Sequence, residues 1–156
     1  ADSISRLTDF HPQDLANTAW SLATCAMRDT PLLEAIASAS LPKLSAFHAQ
    51  NLTNTAWSFA TLEVLHCPLL AAIASQALTR LSDYSTQDIS TTAWAVATCA
   101  VVHAPLMHAL ASEALRKISE FDTQHLANTA WSFSTLGFFD KPLLAALAEA
   151  FIGLIR

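Results

Sequence analysis

Residues 47–61 read FHAQNLTNTAWSFAT, and three other segments of the chain repeat this pattern at intervals of 37 residues. A fixed period of this length is typical of repeat proteins, in which each unit buries its apolar face against the next unit. The related segments are FHPQDLANTAWSLAT at residues 10–24, YSTQDISTTAWAVAT at 84–98 and FDTQHLANTAWSFST at 121–135.

Each unit is predicted to form two helices. The first begins just after the aromatic opener, where Ser85 or Asp122 can accept hydrogen bonds from free backbone N–H groups. A proline then recurs at the first turn of the second helix, where its missing N–H would be unpaired anyway. Pro42 falls in the last turn of the first unit's second helix and should end that helix early. The recurrent prolines are Pro31, Pro68, Pro105 and Pro142.

The apolar spacing predicts two layers of helices. In the second unit the first helix carries two apolar stripes, Leu52–Ala56–Phe59 and Thr53–Trp57–Ala60, so it should be buried on two sides. The second helix has one apolar side, which includes Leu69 and Ile73, and should form the outer layer. The predicted fold is therefore all-α, a right-handed α-solenoid of four 37-residue helix-turn-helix repeats, similar to the superhelices of tetratricopeptide and pentatricopeptide proteins.

The same period sets the predicted domain boundaries. No polar capping repeat is visible at either end, although solenoids normally need one, so we expect one continuous solenoid that is part of a longer array or whose ends are covered by partners. Residues 1–9 should be the end of a preceding repeat, and the four repeats should cover residues 10–46, 47–83, 84–120 and 121–156.

Composition argues against catalysis. The chain is 53% hydrophobic and 13% charged, and with two glycines it has little room for a phosphate-binding loop. No catalytic triad, paired carboxylates or metal-ligand spacing is present, so we expect no enzyme activity, no cofactor, no metal and no small-molecule substrate. No apolar stretch is long enough for a membrane span. The odd set Cys25, Cys67 and Cys99 is interpreted as reduced core thiols in a reducing compartment.

The repeated motif Gln-Asp/Asn-Leu-x-Asn-Thr-Ala-Trp-Ser-x-Ala-Thr, with its 37-residue period, resembles the heptatricopeptide repeats of apicomplexan and dinoflagellate organellar proteins. More loosely, it resembles the octotricopeptide repeats of algal chloroplast proteins. The resemblance covers nearly the whole chain. It implies RNA binding in a mitochondrion or plastid, with a role in RNA processing, RNA stability or ribosome assembly.

Two polar series on the first helices are candidates for contact with RNA bases, because Asn, Asp, Ser and Thr side chains can hydrogen-bond base edges. The more variable series suits base selection better, since a code must differ between units. The alternative is that the asparagines and the recurrent glutamines bridge adjacent repeats. The variable series is Asp14, Asn51, Asp88 and His125, and the more constant one is Asn17, Asn54, Thr91 and Asn128.

Basic residues recur near the end of each second helix. Neighbouring helices pack about 8 to 10 Å apart, so these charges could follow a phosphate backbone. The alternative is that they stabilise the helices, because the helix dipole favours a cation in the last turn. The series consists of Arg6, Lys43, Arg80 and Lys117.

Two features count against RNA. The net charge is −5, whereas nucleic-acid binders usually carry a basic face. The Trp and Phe series are expected on the core stripes, which would leave no aromatic ring for base stacking. Two hypotheses therefore remain: a protein of the organellar matrix or stroma that holds single-stranded RNA, or a structural or assembly subunit of a large organellar complex (a ribosome, photosystem or respiratory complex) that binds protein.

Overall fold

The structure, a computed structural model, describes residues 6–156, and within that range it contains helices and no strand. The predicted all-α class is confirmed, while the predicted end of a preceding repeat lies in part, at residues 1–5, outside the described residues. Four short 3-10 helices span Arg6–Asp9, Leu41–Ala46, Leu81–Asp83 and Ile118–Glu120. The α-helices are α1 (Pro12–Thr24), α2 (Thr30–Ser40), α3 (Ala49–Thr61), α4 (Cys67–Leu78), α5 (Thr86–Thr98), α6 (Ala104–Lys117), α7 (Thr123–Thr135) and α8 (Lys141–Ile155).

In the third and fourth pairs the first helix begins at a side-chain cap, as the sequence predicts. Ser85 Oγ accepts a hydrogen bond from the backbone N–H of Asp88 at 3.1 Å, and Asp122 Oδ1 accepts one from His125 at 2.8 Å. These bonds pair N–H groups that the helix itself leaves free. The caps fix where α5 and α7 begin, and therefore which side chains share a face further along.

The second helix of each pair also begins at a cap, one residue before the helix, and its recurrent proline is the second helical residue. The side chain of the capping residue accepts a hydrogen bond from a backbone N–H three residues later, at 3.0 to 3.2 Å. The capping residues are Asp29, His66, His103 and Asp140. Two of these caps, His66 and His103, are histidines, whose side chains therefore have a structural role.

Pro42 ends α2 early, as predicted. The helix stops at Ser40, and the chain continues as the longest of the 3-10 helices, Leu41–Ala46. Proline lacks the N–H that an α-helix needs at this point and its ring crowds the preceding turn. The 3-10 helix then takes over the contact with α4 that a longer α2 would make.

The eight α-helices of residues 6–156 pack as two layers. The first layer consists of α1, α3, α5 and α7, each in contact with the next, and the second contains α2, α4, α6 and α8. Each first-layer helix also contacts the second-layer helix that follows it in the chain. The apolar core lies between the layers, and its largest fully buried side chains include Phe47, Phe59, Tyr84 and Phe133.

Burial within the first layer depends on how many neighbours a helix has. The central helix α3 buries eight residues distributed on both flanks, whereas the end helix α1 buries four, on one side. The second-layer helix α4 buries only the side that carries Leu69, Leu70 and Ile73. The predicted two-sided burial of the first helix is therefore confirmed for the central repeats.

Small residues of the repeated NTAWS segment let the first-layer helices lie close together. The hydroxyls of Thr55 and Ser58 donate to backbone carbonyls four residues earlier, so they can be buried without an unpaired polar atom. Between neighbouring helices, the Thr53 and Thr92 hydroxyls hydrogen-bond each other at 3.2 Å. These contacts use the flanks of α3 and α5 and leave the remaining side of each helix exposed.

Candidate functional site

One outward side of every first-layer helix carries a stripe of glutamine, asparagine or threonine, and tryptophan. The members are four and then three residues apart, so they lie above one another on the helix. All of them are exposed or half-buried. We call this set the amide-tryptophan stripe, and it consists of Gln13, Asn17, Trp20, Gln50, Asn54, Trp57, Gln87, Thr91, Trp94, Gln124, Asn128 and Trp131.

Because the first-layer helices lie side by side, the stripes of neighbouring helices form a common groove. Its volume is about 430 Å³, which is in the range of ligand sites in proteins. Every residue that lines it is uncharged. The lining consists of Trp20, Asn54, Trp57, Gln87, Thr91, Trp94, Gln124 and Asn128.

The amides of the stripe have unused hydrogen-bonding capacity. A glutamine or asparagine side chain offers two N–H donors and one carbonyl acceptor. Within residues 6–156, none of the stripe's amides, and none of its indole N–H groups, forms a hydrogen bond. The alternative in which these amides bridge adjacent repeats therefore finds no support, and the groove presents a set of free donors and acceptors.

The expectation that the tryptophans belong to the core is wrong for Trp20 and Trp131 and is met in part by Trp57 and Trp94. Trp20 and Trp131 are 45% and 46% exposed, and Trp57 and Trp94 are half-buried at the edge of the core. On α3, the buried part of the weaker apolar stripe is narrower than the sequence suggests. Thr53 and Ala60 are buried and already fill the contact with the next helix. A signal was present in the sequence: each tryptophan shares its helical side with a glutamine seven residues earlier, a polar residue that a core stripe would exclude.

The variable series predicted for base selection caps the first-layer helices. Asp14, Asn51 and Asp88 each accept a hydrogen bond from the backbone N–H three residues earlier, at 3.0 to 3.1 Å. His125 Nδ1 lies 3.3 Å from the N–H of Asp122 in the same arrangement. Asn51 is also 93% buried, since its exposed fraction is 7%. The structure therefore engages these four side chains within their own helices, whereas Asn17, Asn54, Thr91 and Asn128 lie on the stripe.

Three of the four recurrent basic residues bind backbone carbonyls 33 to 35 residues earlier in the chain. Lys43 Nζ donates to the carbonyls of Thr8 and Phe10, the latter at 2.7 Å, and Arg80 donates to Ser45 at 2.6 Å. Lys117 donates to the Tyr84 carbonyl and pairs with Glu113. We call Lys43, Arg80 and Lys117 the basic row. Arg6, the fourth predicted phosphate contact, is exposed in the first 3-10 helix.

The cysteines are free, but the expectation that they are core thiols is wrong. All three lie at helix ends: Cys25 and Cys67 are exposed, and Cys99 is half-buried against the edge of the core. Burial raises the pKa of the Cys99 thiol. Across residues 6–156, no three His, Cys, Asp or Glu side chains are grouped in a way that could hold a metal ion.

A second surface feature lies at the loops that join the two helices of a pair. Leu65, Val102 and Phe139 occupy equivalent positions in successive repeats and are 60%, 70% and 79% exposed. Single exposed apolar residues are common, but a row of them at equivalent positions is a feature of contact surfaces. This row is a candidate protein contact, separate from the groove.

In the part of the chain that the structure describes, no helix combines the length and the apolar character needed to cross a bilayer. No curated protein matches the chain. A family model described as RNA-editing substrate-binding complex 6 protein matches residues 44–156, well over half of the sequence. The matched region holds α3 to α8 and most of the groove lining. The chain therefore belongs to the RNA-editing substrate-binding complex 6 protein family.

Proposed function

We propose that this chain is a non-catalytic RNA-binding helical-repeat protein of an organellar matrix or stroma, which holds single-stranded RNA along the amide-tryptophan stripe. Its repeats are of the heptatricopeptide or octotricopeptide type and stack as a solenoid. The role would be to hold RNA for processing, stabilisation or assembly. The family name supports this proposal, because it refers to a complex that binds the substrates of RNA editing.

The observation that carries the proposal is the set of unpaired amides in the groove. An exposed amide loses little by facing water, yet twelve positions of one surface repeat the same polar and aromatic types, and their side chains have no hydrogen-bond partner within residues 6–156. Single-stranded RNA offers unpaired base edges and stackable faces, which are the groups that amides and indole rings bind. Double-stranded RNA hides most of both.

The test is a fluorescence-anisotropy titration of the chain with a labelled single-stranded RNA and with the same RNA annealed to its complement. We expect binding to the single strand and much weaker binding to the duplex. A variant with Asn54→Ala and Gln87→Ala should bind the single strand more weakly. Gln76→Ala, which removes the same kind of side chain from the second layer, should leave the affinity unchanged. If the unaltered chain binds no RNA at low salt, the proposal fails.

The basic row is a poor choice of variant for this test. Lys43, Arg80 and Lys117 donate hydrogen bonds to backbone carbonyls at least 33 residues earlier in the chain, so replacing them would weaken the fold itself. Loss of binding in such a variant would not distinguish a lost phosphate contact from a loosened groove. Variants of the stripe avoid this ambiguity.

The second candidate is a structural or assembly subunit that binds protein in a large organellar complex. The exposed row Leu65, Val102 and Phe139 favours it. It predicts no RNA binding by the isolated chain, and loss of co-assembly when Val102 and Phe139 are both changed to Ser while the thermal unfolding midpoint stays the same. Unchanged assembly of that variant would argue against this surface.

A further inference from the structure

We infer that the four tryptophans of the stripe stack on the bases of unpaired RNA, and that this binding depends mainly on uncharged contacts and is tolerant of sequence. The inference rests on the proposed function and deepens it, since it names the groups that bind and the physical character of the binding. Three observations support it.

The first is the way the rings are held. All four tryptophans of the chain lie on the stripe. Trp57 and Trp94 pack against the core on one side, and Trp20 presents nearly half of its surface to solvent. A ring that is fixed on one side and open on the other gives a base a stacking surface with little loss of side-chain freedom.

The second is the distribution of charge. No Lys, Arg, Asp or Glu lines the groove, and the basic row binds backbone carbonyls of the protein. The chain as a whole carries a net charge of −5. With few cations available to neutralise phosphates, few counterions are released on binding, so the affinity should depend weakly on salt.

The third is the near-identity of the stripe from repeat to repeat. Glutamine and tryptophan occupy their positions in all four repeats, and asparagine occupies the middle position in three of them. Thr91 is the one departure. Because each repeat presents the same side chains, the repeats cannot select different bases. The stripe should therefore favour contacts that every base can make, and stacking is such a contact.

The experiment is a titration of the chain's intrinsic tryptophan fluorescence with single-stranded RNA, at several salt concentrations. Because every tryptophan lies on the stripe, stacked bases should quench the emission directly. The matched ligand is an oligonucleotide of the same length that keeps the phosphates and lacks the bases over its central part. We expect binding of the complete RNA, little quenching by the abasic one, and a slope of log K against log salt shallower than about −1.4, the value for two phosphate contacts.

Three variants complete the test, with binding followed by anisotropy. Trp20→Ala should weaken RNA binding by about fivefold to a hundredfold, and Trp20→Phe, which keeps an aromatic ring, should recover part of the loss. Phe139→Ala removes an exposed ring outside the stripe and should leave the affinity unchanged. Circular dichroism and the unfolding midpoint confirm that each variant is folded.

The failures are distinguishable. If the chain binds RNA but Trp20→Ala binds equally well, or the abasic strand binds as tightly, or the salt slope is steep, the stacking inference is overturned while the proposed function stands. If the unaltered chain binds no RNA at any salt concentration, the proposed function itself fails.

Discussion

Two sets of side chains recur every 37 residues in this protein, the basic row and the amide-tryptophan stripe, and the molecule uses them in opposite ways. The basic row donates hydrogen bonds to backbone carbonyls 33 to 35 residues earlier in the chain. The amides of the stripe, equally regular in the sequence, bind nothing within residues 6–156. Recurrence therefore does not separate a structural residue from a binding residue. The hydrogen-bond partners do, because a side chain already paired inside the fold must break that contact before it can bind a ligand.

The largest expected effect tests the structural half of this comparison. Lys43→Met should lower the free energy of unfolding by about 1 to 3 kcal/mol, since it removes charge-assisted bonds to the carbonyls of Thr8 and Phe10. Urea denaturation followed by circular dichroism measures the change. The control is Lys141→Met at an exposed position, which should change stability by less than about 0.5 kcal/mol. Equal effects of the two changes on stability would show that Lys43 does not stabilise the fold through these hydrogen bonds.

The next effect concerns the variable series, which the sequence predicted to contact RNA bases and which caps the first-layer helices in the structure. Asp88 accepts hydrogen bonds from the N–H and the hydroxyl of Ser85, at 3.0 and 2.7 Å. Asp88→Ala should therefore destabilise the chain by about 1 kcal/mol. RNA affinity should stay the same or rise slightly, because a negative charge beside the groove is removed. A large loss of RNA affinity at full stability would restore Asp88 as a base contact.

A smaller effect on stability is expected on the stripe itself. Gln50→Ala should change the free energy of unfolding by less than about 0.5 kcal/mol while weakening RNA binding, since Gln50 is exposed and unpaired. Its neighbour Asn51 is the matched control, because it is buried and caps α3. Asn51→Ala should reduce stability more than Gln50→Ala and affect binding less. The reverse order would contradict the division between the two series.

The smallest effect concerns the hydroxyl group of Tyr84, which is buried away from any ligand. Burial raises the pKa of Tyr84 to about 12, and its hydroxyl forms no hydrogen bond of normal geometry within the described residues, although Thr53 and Thr92 lie beside it. The other three repeats carry phenylalanine here. Tyr84→Phe should therefore alter stability by less than about 0.5 kcal/mol or increase it slightly.

The same group gives a pH dependence with a definite sign. Because the folded pKa lies above the ordinary value of 10.0, the unfolded chain ionises first as the pH rises. The stability contributed by the neutral phenol is complete below about pH 10 and falls between about pH 10 and 12. As Tyr84 is the one tyrosine of the chain, difference absorbance of tyrosinate follows it directly. Ionisation near pH 10 in the folded protein would show that the ring is accessible to water.

The sequence alone determined the helical class, the pairing of helices and their starts. These depend on short-range chemistry: the spacing of apolar residues, caps such as Ser85, and prolines that fix where a helix begins or ends. Each such signal acts within a few residues of itself, and four copies of it in register made the prediction of two helices per unit secure.

Only the tertiary structure decided the partners of the basic row and the exposure of the tryptophans. Lys43 donates a hydrogen bond to a carbonyl 33 residues earlier in the chain, a contact that depends on how distant segments pack together and not on local spacing. The width of the buried sector of each first-layer helix likewise depends on how closely its neighbours approach, and Trp20 lies just beyond that sector. The 37-residue period can be seen in the sequence, but tertiary packing determined which of the recurrent side chains remained free to bind a ligand.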